Sequence, residues 1–340
     1  MKIVADMTKR ERVMAALKGE PVDHVPMSFF GHHHWVEQSP EMLATYLQKQ
    51  NQKYDWDFMK VNFRSSCYGE AWGCKYRFDS QRGPLIENPV VKSADDFGKL
   101  EKLEPTEGPL GDQIKVTKIL GENLKGSVPF IHTIFSPLTV ASYLTGAIPR
   151  TNSEVVHVQR YMRENPEMLH HGLSVISQTL ANYAREAIRA GADGIFITTT
   201  TWSRDACTEE EYRVFGKPYD LAVYKAANEE GAIFNVLHIC RENIMFNLLS
   251  DYPVQLINYG VRCPRNPSLR EAMTKTDKAL WGGLSCDTLL YGPEDAIILE
   301  AQDAVKQTGG RRLFLGPDCS ISSEVPEGHL FAVSKACKDW

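Results

Sequence analysis

Several absences narrow what this 340-residue chain can be before any motif is read. No apolar run approaches the roughly 18–20 residues that a bilayer-spanning helix needs. Basic residues are not in excess: 38 Lys and Arg stand against 43 Asp and Glu, a net charge of -5. No general basic surface is therefore offered to nucleic acid. Cysteine is thinly spread. The eight residues Cys67, Cys74, Cys207, Cys240, Cys263, Cys286, Cys319 and Cys337 form no short, dense framework, which argues against a disulfide-stapled scaffold and leaves free thiols or a metal site. There is no early glycine-rich phosphate turn, no internal repeat, no low-complexity tract and no Pro/Ser linker, so 1–340 reads as one domain. The opening "MKIVADMTKRERVMAALKGE" is charged and amphipathic rather than a signal peptide, which places the protein in the cytoplasm.

What the chain does have is an alternation. Short apolar, β-prone runs recur: "VPMSFF" at 25–30, "FMKVNF" at 58–63, "PFIHTIF" at 129–135 and "GIFITTT" at 194–200. They continue with "AIFNVLHIC" at 232–240, "VQLINYG" at 254–260, "ALWGGLS" at 279–285 and "RLFLGPDC" at 312–319. Most are too apolar for a half-exposed antiparallel strand and suit strands buried on both faces. Helical patterns lie between them: 166–191, closed by Gly191; 208–231, opened by Thr208 and closed by Gly231; and 293–310, opened by proline and acids and closed by glycine. Such alternation predicts a parallel sheet, and eight strands predict an α/β (β/α)8 TIM barrel over a doubly wound open sheet. The stretch 64–125, with "SQRGPLIENP" and "EPTEGPLGDQ", is too long for a simple connection and reads as an irregular excursion over the barrel mouth, between strands 2 and 3.

Chemistry in such a barrel gathers at the C-terminal ends of the strands. There this chain carries "HHH" after the first strand, Thr198–Trp202 after the fourth, "HIC" after the fifth, Asn258 and Tyr259 on the sixth, and Asp318–Cys319 on the eighth. His238 and Cys240 are two apart, so on a strand both face one side. If strand eight closes the barrel, Cys319 reaches the same mouth. One imidazole and two thiolates make a zinc set with a fourth position open, the mark of a catalytic rather than a structural site. Spacing alone leaves the alternative open that these three are packing residues. Among His32, His33 and His34 at most two side chains converge, and hydrogen bonding to substrate or to groups that support the site is the preferred role over metal binding. Phe29, Phe30, Trp35, Tyr68, Trp72 and Trp202 could line an apolar pocket or simply fill the core.

"TKRERVMAALKGEPVDHVP", "SPLTVASYLTG", "GADGIFI" and "GGLSCDTLLYGPEDA" resemble corresponding segments of the uroporphyrinogen decarboxylase superfamily. The resemblance runs along nearly the whole chain. It implies the same barrel and places Tyr143 at the family's active-site tyrosine. The departures select a branch. "SFFGHHHW" stands where the porphyrin decarboxylases carry Arg-Gln-Ala-Gly-Arg, "VNFRSS" lacks their aspartate, and "LGPDCS" lacks their late histidine. The H-x-C on strand five and the late cysteine are instead similar to the zinc methyltransferases of corrinoid systems, such as the methylcobamide:coenzyme M methyltransferases. Carried over, His238, Cys240 and Cys319 become zinc ligands. Arg241 is a departure, since those enzymes often follow the cysteine with glycine.

The resemblance implies methyl transfer between a small methoxylated, methylated or thiol compound and the cobalt of a corrinoid. No Asp-x-His-x-x-Gly cobalamin signature is present, so the corrinoid is expected on a separate protein. Tyr143, Asn258 and Asp318 are the expected catalytic residues, with Asp318 able to orient His238 or to turn away from it. His32, His33, His34 and Trp202 are expected to meet substrate, and a homodimer is expected by analogy. The rival is a metal-free lyase acting on another carboxylic acid, with Arg64, Arg82 or Arg204 lining the mouth.

Overall fold

The computed structural model describes residues 6–79, 83–146 and 155–338; Arg82 therefore lies outside the described residues. The core is a parallel seven-stranded sheet. Its strands are β1 (Met59–Val61), β4 (Phe130–Phe135), β5 (Gly194–Thr198), β6 (Val236–Ile239), β7 (Leu256–Tyr259), β8 (Ala279–Leu284) and β9 (Leu313–Pro317), hydrogen-bonded in that order. A separate antiparallel hairpin joins β2 (Lys75–Asp79) to β3 (Gly83–Asn88). Every residue of β4 to β9 except Phe135 is buried, as expected for strands covered on both faces.

The first apolar run does not form a strand of that sheet. Residues 25–31 make only isolated parallel bridges, Met27 to Leu315 and Gly31 to Ile321. Leu315 N donates to Pro26 O, and Ser28 N to Leu315 O. On the other side, Asp57 N donates to Met27 O, and Ser28 Oγ to Phe58 O. The segment thus links the β9 edge to the residues leading into β1. Pro26 has no N–H to give, which limits the ladder to single bridges. The result is a TIM-barrel-like arrangement, closed by extended chain where a regular strand was expected.

Helix α1 (Lys9–Lys18) sits across the barrel's N-terminal end. Thr8 and Glu11 form a capping box, and Gly19 closes the helix at a positive φ of 73°. Its Val13, Ala16 and Leu17 join the inward-facing Phe58, Ile131, Phe234, Leu256, Ala279 and Phe314 in one cluster. Above them, Trp281 lies against Gly316 and donates its indole N–H to Ser28 O at 3.2 Å; a Cβ at Gly316 would meet that nitrogen at 2.1 Å.

Two sequence expectations are refined. The stretch 64–125 holds more regular structure than its composition suggests: Cys67–Ala71 is helical, the β2–β3 hairpin follows, and Gly108–Leu124 is a helix. The single helix expected over 208–231 is two, Glu209–Phe215 and Lys217–Glu229, broken at Gly216. A Cβ there would strike the Tyr212 ring at 2.7 Å, and Pro218 begins a new helix on the next turn.

Asp220, buried in the second of these helices, accepts from Tyr212 and Tyr252 hydroxyls at 2.7 Å each. Burial outweighs both bonds and pushes the carboxyl up to about 7. Because the folded value exceeds the unfolded one near 4, the folded chain holds an extra proton between roughly pH 4 and 7. Stability should fall as pH rises through that window, by up to roughly 1 kcal/mol per pH unit from this group. Asp220→Asn should flatten that slope in urea titrations across the same range; an unchanged slope would assign it to other groups.

Candidate metal centre

The strand pattern sets the site. On β6, Val236 and His238 face the barrel interior while Leu237 and Ile239 face the helices. Cys240, just past the strand, continues the His238 side. Cys319 follows β9 by two residues and comes to the same point. Its Sγ lies 3.7 Å from Cys240 Sγ and 3.5 Å from His238 Nε2. Tetrahedral bonds of about 2.3 Å to sulfur and 2.0–2.1 Å to nitrogen would separate the donors by about 3.8 Å and 3.6 Å. The three side chains therefore fit one tetrahedral ion, and the three-donor set leaves room for a fourth ligand.

Electrostatics distinguish the Cys319 sulfur from its neighbours. The Cys319 thiol is held well below its ordinary value, chiefly by the hydrogen bond from Cys240, with His238 adding and burial opposing. Cys286, whose thiol donates to Cys319 O at 3.4 Å, is pushed up by burial to about 12. Cys263 is pushed up by burial to about 11. Only thiolates ligate well, so the nearby pair stays protonated while Cys319 is primed to bind.

Chain geometry sharpens the departure at 241. Arg241 has φ 78°, in the left-handed region where glycine is unstrained. The turn that follows Cys240 thus demands glycine's conformation, and an arginine adopts it at a cost on the order of 1 kcal/mol.

Aromatic rings wall the imidazole. Phe196 stacks on His238 with centroids 5.4 Å apart, and Phe30 meets it edge-on at 6.2 Å. The next strand supplies Asn258, paired in register with His238. Its Nδ2 donates to Trp281 O and Pro317 O, so the amide is fixed with Oδ1 as a buried acceptor. Neither Asn258 Oδ1 nor His238 Nδ1 has a hydrogen-bond partner among the described residues. A ligating histidine ordinarily gives its second nitrogen to such an acceptor, directly or through water.

The remaining expected residues fall in different places. Asp318 turns away from His238: its Oδ1 accepts from Val261 N at 3.0 Å, and burial pushes the carboxyl up to about 7. Tyr143 lies in the helix Pro137–Leu144 after β4, buried against Phe135. Trp202 is buried in the larger outer core cluster, as are Phe29, Tyr68 and Trp72, whereas Trp35 is 58% exposed. Of the three histidines two converge. His32 Nδ1 and His34 Nδ1 lie 2.9 Å and 3.1 Å from opposite oxygens of Glu37, with their rings stacked, while His33 turns to the Tyr46 hydroxyl. Burial raises the Glu37 carboxyl, but His32 and His34 outweigh it and hold it well below the usual range. Glu37 was not anticipated from sequence. The arginines expected by the lyase reading are engaged: Arg64 with Glu70 and Asp112, Arg204 with Glu209 and Ile244 O.

A second residue missed in the sequence is Lys60. It points into the barrel from β1, with Nζ 4.7 Å from the Phe30 centroid and 4.5 Å from that of Phe196. Nζ donates to Asn62 Oδ1. Burial pushes the ammonium down to about 7, with Cys319 and Glu37 pulling the other way. The signal was present: a lysine, then Asn62 two positions on, interrupting the inward face of an otherwise apolar run.

The fold is that of a TIM-barrel-like α/β protein, and His238, Cys240 and Cys319 at the C-terminal ends of its strands form a group that could hold a metal ion. Residues 8–340 match the uroporphyrinogen decarboxylase (URO-D) family, and the chain belongs to it. Among curated relatives, it is 25% identical to a methylcobamide:CoM methyltransferase, MtbA, of Methanosarcina acetivorans, over 99% of each chain. It is 30% identical to the uroporphyrinogen decarboxylase of Carboxydothermus hydrogenoformans, over 71% of this chain and 66% of that one. Among solved structures, a methyltransferase from Methanosarcina mazei superposes with TM-score 0.81 at 23% identity, covering 98% of this chain and 99% of the other. Among the described residues no helix is long and apolar enough to cross a membrane.

Proposed function

We propose that the chain is a zinc-dependent methyltransferase that moves a methyl group between a small substrate and the cobalt of a corrinoid carried by a separate protein. The observation that supports this reading is the convergence of Cys240, Cys319 and His238 at donor separations of 3.7 and 3.5 Å. The name of the M. acetivorans relative, matched end to end, supplies the reaction class.

His238, Cys240 and Cys319 would hold the metal. Bound zinc supplies a Lewis-acid position for a substrate heteroatom, which favours a thiolate over a thiol or draws charge from a departing atom. The chain does the rest. Two thiolates and a neutral imidazole balance a dication, so the centre adds no net charge of its own. Phe30 and Phe196 flank the imidazole, and Asn258 Oδ1, a buried acceptor with no partner among the described residues, would set its tautomer directly or through water. The Glu37-held pair His32 and His34, with His33 beside them, is proposed to meet substrate, and Tyr143 to act in catalysis; Trp202, enclosed in the outer core cluster, is left out of that role. Asp318 acts indirectly, by holding the loop after β7. The corrinoid protein would dock over the mouth, with residues 64–125 part of its landing surface.

The test is methyl exchange with free cobalamin. Zinc-loaded protein should demethylate methylcobalamin with thiols, or methylate cob(I)alamin from methoxylated compounds, read from the cobalamin's visible spectrum. Cys240→Ala should do neither. A zinc-loaded parent inert with both cobalamins, across both substrate classes, overturns the proposal.

A further inference from the structure

A second set of donors lies apart from the sulfur-bearing centre. The Glu37 side chain is 1% exposed, and those of His32 and His34 are each 23% exposed. His32 Nδ1 and His34 Nδ1 stand 2.9 Å and 3.1 Å from the two carboxylate oxygens. Those lengths suit hydrogen bonds, and equally a shared octahedral ion: bonds of about 2.1 Å at right angles put adjacent donors about 3.0 Å apart. One ligand atom from each of the three residues lies within 4.8 Å of the others. Charge separates the two readings. A carboxylate this enclosed is costly unless a cation is near it. Among the described residues neither lysine nor arginine pairs with the Glu37 carboxylate, and its two imidazole partners are cationic only when protonated. The frame holds the donors in place. His33 N donates to Glu37 Oε1 at 2.8 Å, and Arg64 Nη1 to Glu37 O at 3.5 Å. Gly83 of the β2–β3 hairpin presses on the His34 ring, where a Cβ would come within 2.6 Å.

We infer that His32, His34 and Glu37 form a second metal site, for a divalent cation of octahedral preference such as Mn(II) or Fe(II), with further positions open to water or another ligand. The two centres differ in kind. Oxygen and nitrogen here, against sulfur there, select different ions. One carboxylate and two neutral imidazoles hold a dication less tightly than two thiolates and an imidazole. Purification therefore strips this ion while the triad keeps its zinc. Each imidazole gives Nδ1 to the ion by carrying its single proton on Nε2. The site does not depend on the methyl-transfer reading; within that reading, the histidine pair meets substrate through the ion.

The test counts manganese on zinc-loaded, dialysed full-length protein. Mn(II) is titrated in, its free ion is read by electron paramagnetic resonance, and zinc is followed by elemental analysis. The parent should take up one Mn(II) per chain without losing zinc. Glu37→Gln and His34→Ala should each weaken that binding by more than about tenfold, with zinc content unchanged. His34 is partly exposed, so its variant decides the matter should Glu37→Gln prove insoluble. Manganese that displaces zinc would put the ion at the triad instead. Uptake that persists in both variants would be adventitious. Either outcome, or a parent that takes up none, overturns the second site and leaves the methyl-transfer reading standing.

Discussion

Replacing Cys319 with alanine should strip the protein of nearly all its zinc. The variant keeps one thiolate and one imidazole, two donors where the parent offers three. Affinity should fall by more than about 100-fold, beyond what loss of a mere orienting partner costs. Cys240→Ala should behave alike, since its sulfur sits 3.7 Å from that of Cys319. The controls are close by. Cys286 and Cys263 are near in space, yet burial raises their thiols to about 12 and 11. Alanine at either should leave zinc content at about one per chain. Elemental analysis of the four variants, purified in parallel, checks this, and equal zinc in all four would refute the assignment of ligands.

Arg12→Met is expected to have the largest effect on stability outside the site. Arg12 lies on α1 and is the more deeply buried of that helix's two arginines paired with buried carboxylates, the other being Arg10 with Asp193. Its guanidinium contacts Asp23 twice and Asp57 once, each at 2.6 Å, and donates to Met7 O at 2.7 Å. Asp57 in turn accepts from Met27 N at 2.8 Å, so one chain of bonds joins α1, the closing segment 25–31 and the lead into β1. Removing the guanidinium leaves Asp57, 1% exposed, as a buried carboxylate with only the Met27 N–H and the His24 ring, 3.8 Å away, to compensate it. Loss of one partner of such a pair costs about 3–5 kcal/mol. Urea unfolding should show it, and Arg12→Met combined with Asp57→Asn should recover part of the loss. A cost below about 1 kcal/mol would place the pair with ordinary surface bridges.

Much of this was legible in the sequence, and the reasons are local. Seven apolar runs became sheet strands because strands buried on both faces leave a continuous apolar signature. The run at 25–30 carried the same signature but holds Pro26, and it closes the sheet with bridges instead of a ladder. The break at Gly216 was hidden because helical periodicity continues across it. At the centre, the two-residue spacing of His238 and Cys240 was readable as a shared face, whereas the approach of Cys319 depended on closure that only the fold supplies. The resemblance to a family carried that step. Alternation also separated His33 from His32 and His34, but the carboxylate that joins the pair, Glu37, has no period to betray it. Lys60 was passed over because a lone lysine in a strand reads as an edge residue until the barrel shows it facing inward. Arg241 stood out only as a departure; its positive φ shows that the backbone still makes the turn glycine would make.

The central claim is that two sulfurs and one imidazole hold a single zinc ion with one position open. X-ray absorption at the zinc edge of the purified, zinc-loaded protein tests it most directly. The account predicts two sulfur neighbours at about 2.3 Å and one imidazole nitrogen at about 2.0–2.1 Å, with the fourth neighbour a light atom displaced by an added thiol. A shell of nitrogen and oxygen alone, or protein that retains no zinc to measure, would contradict it.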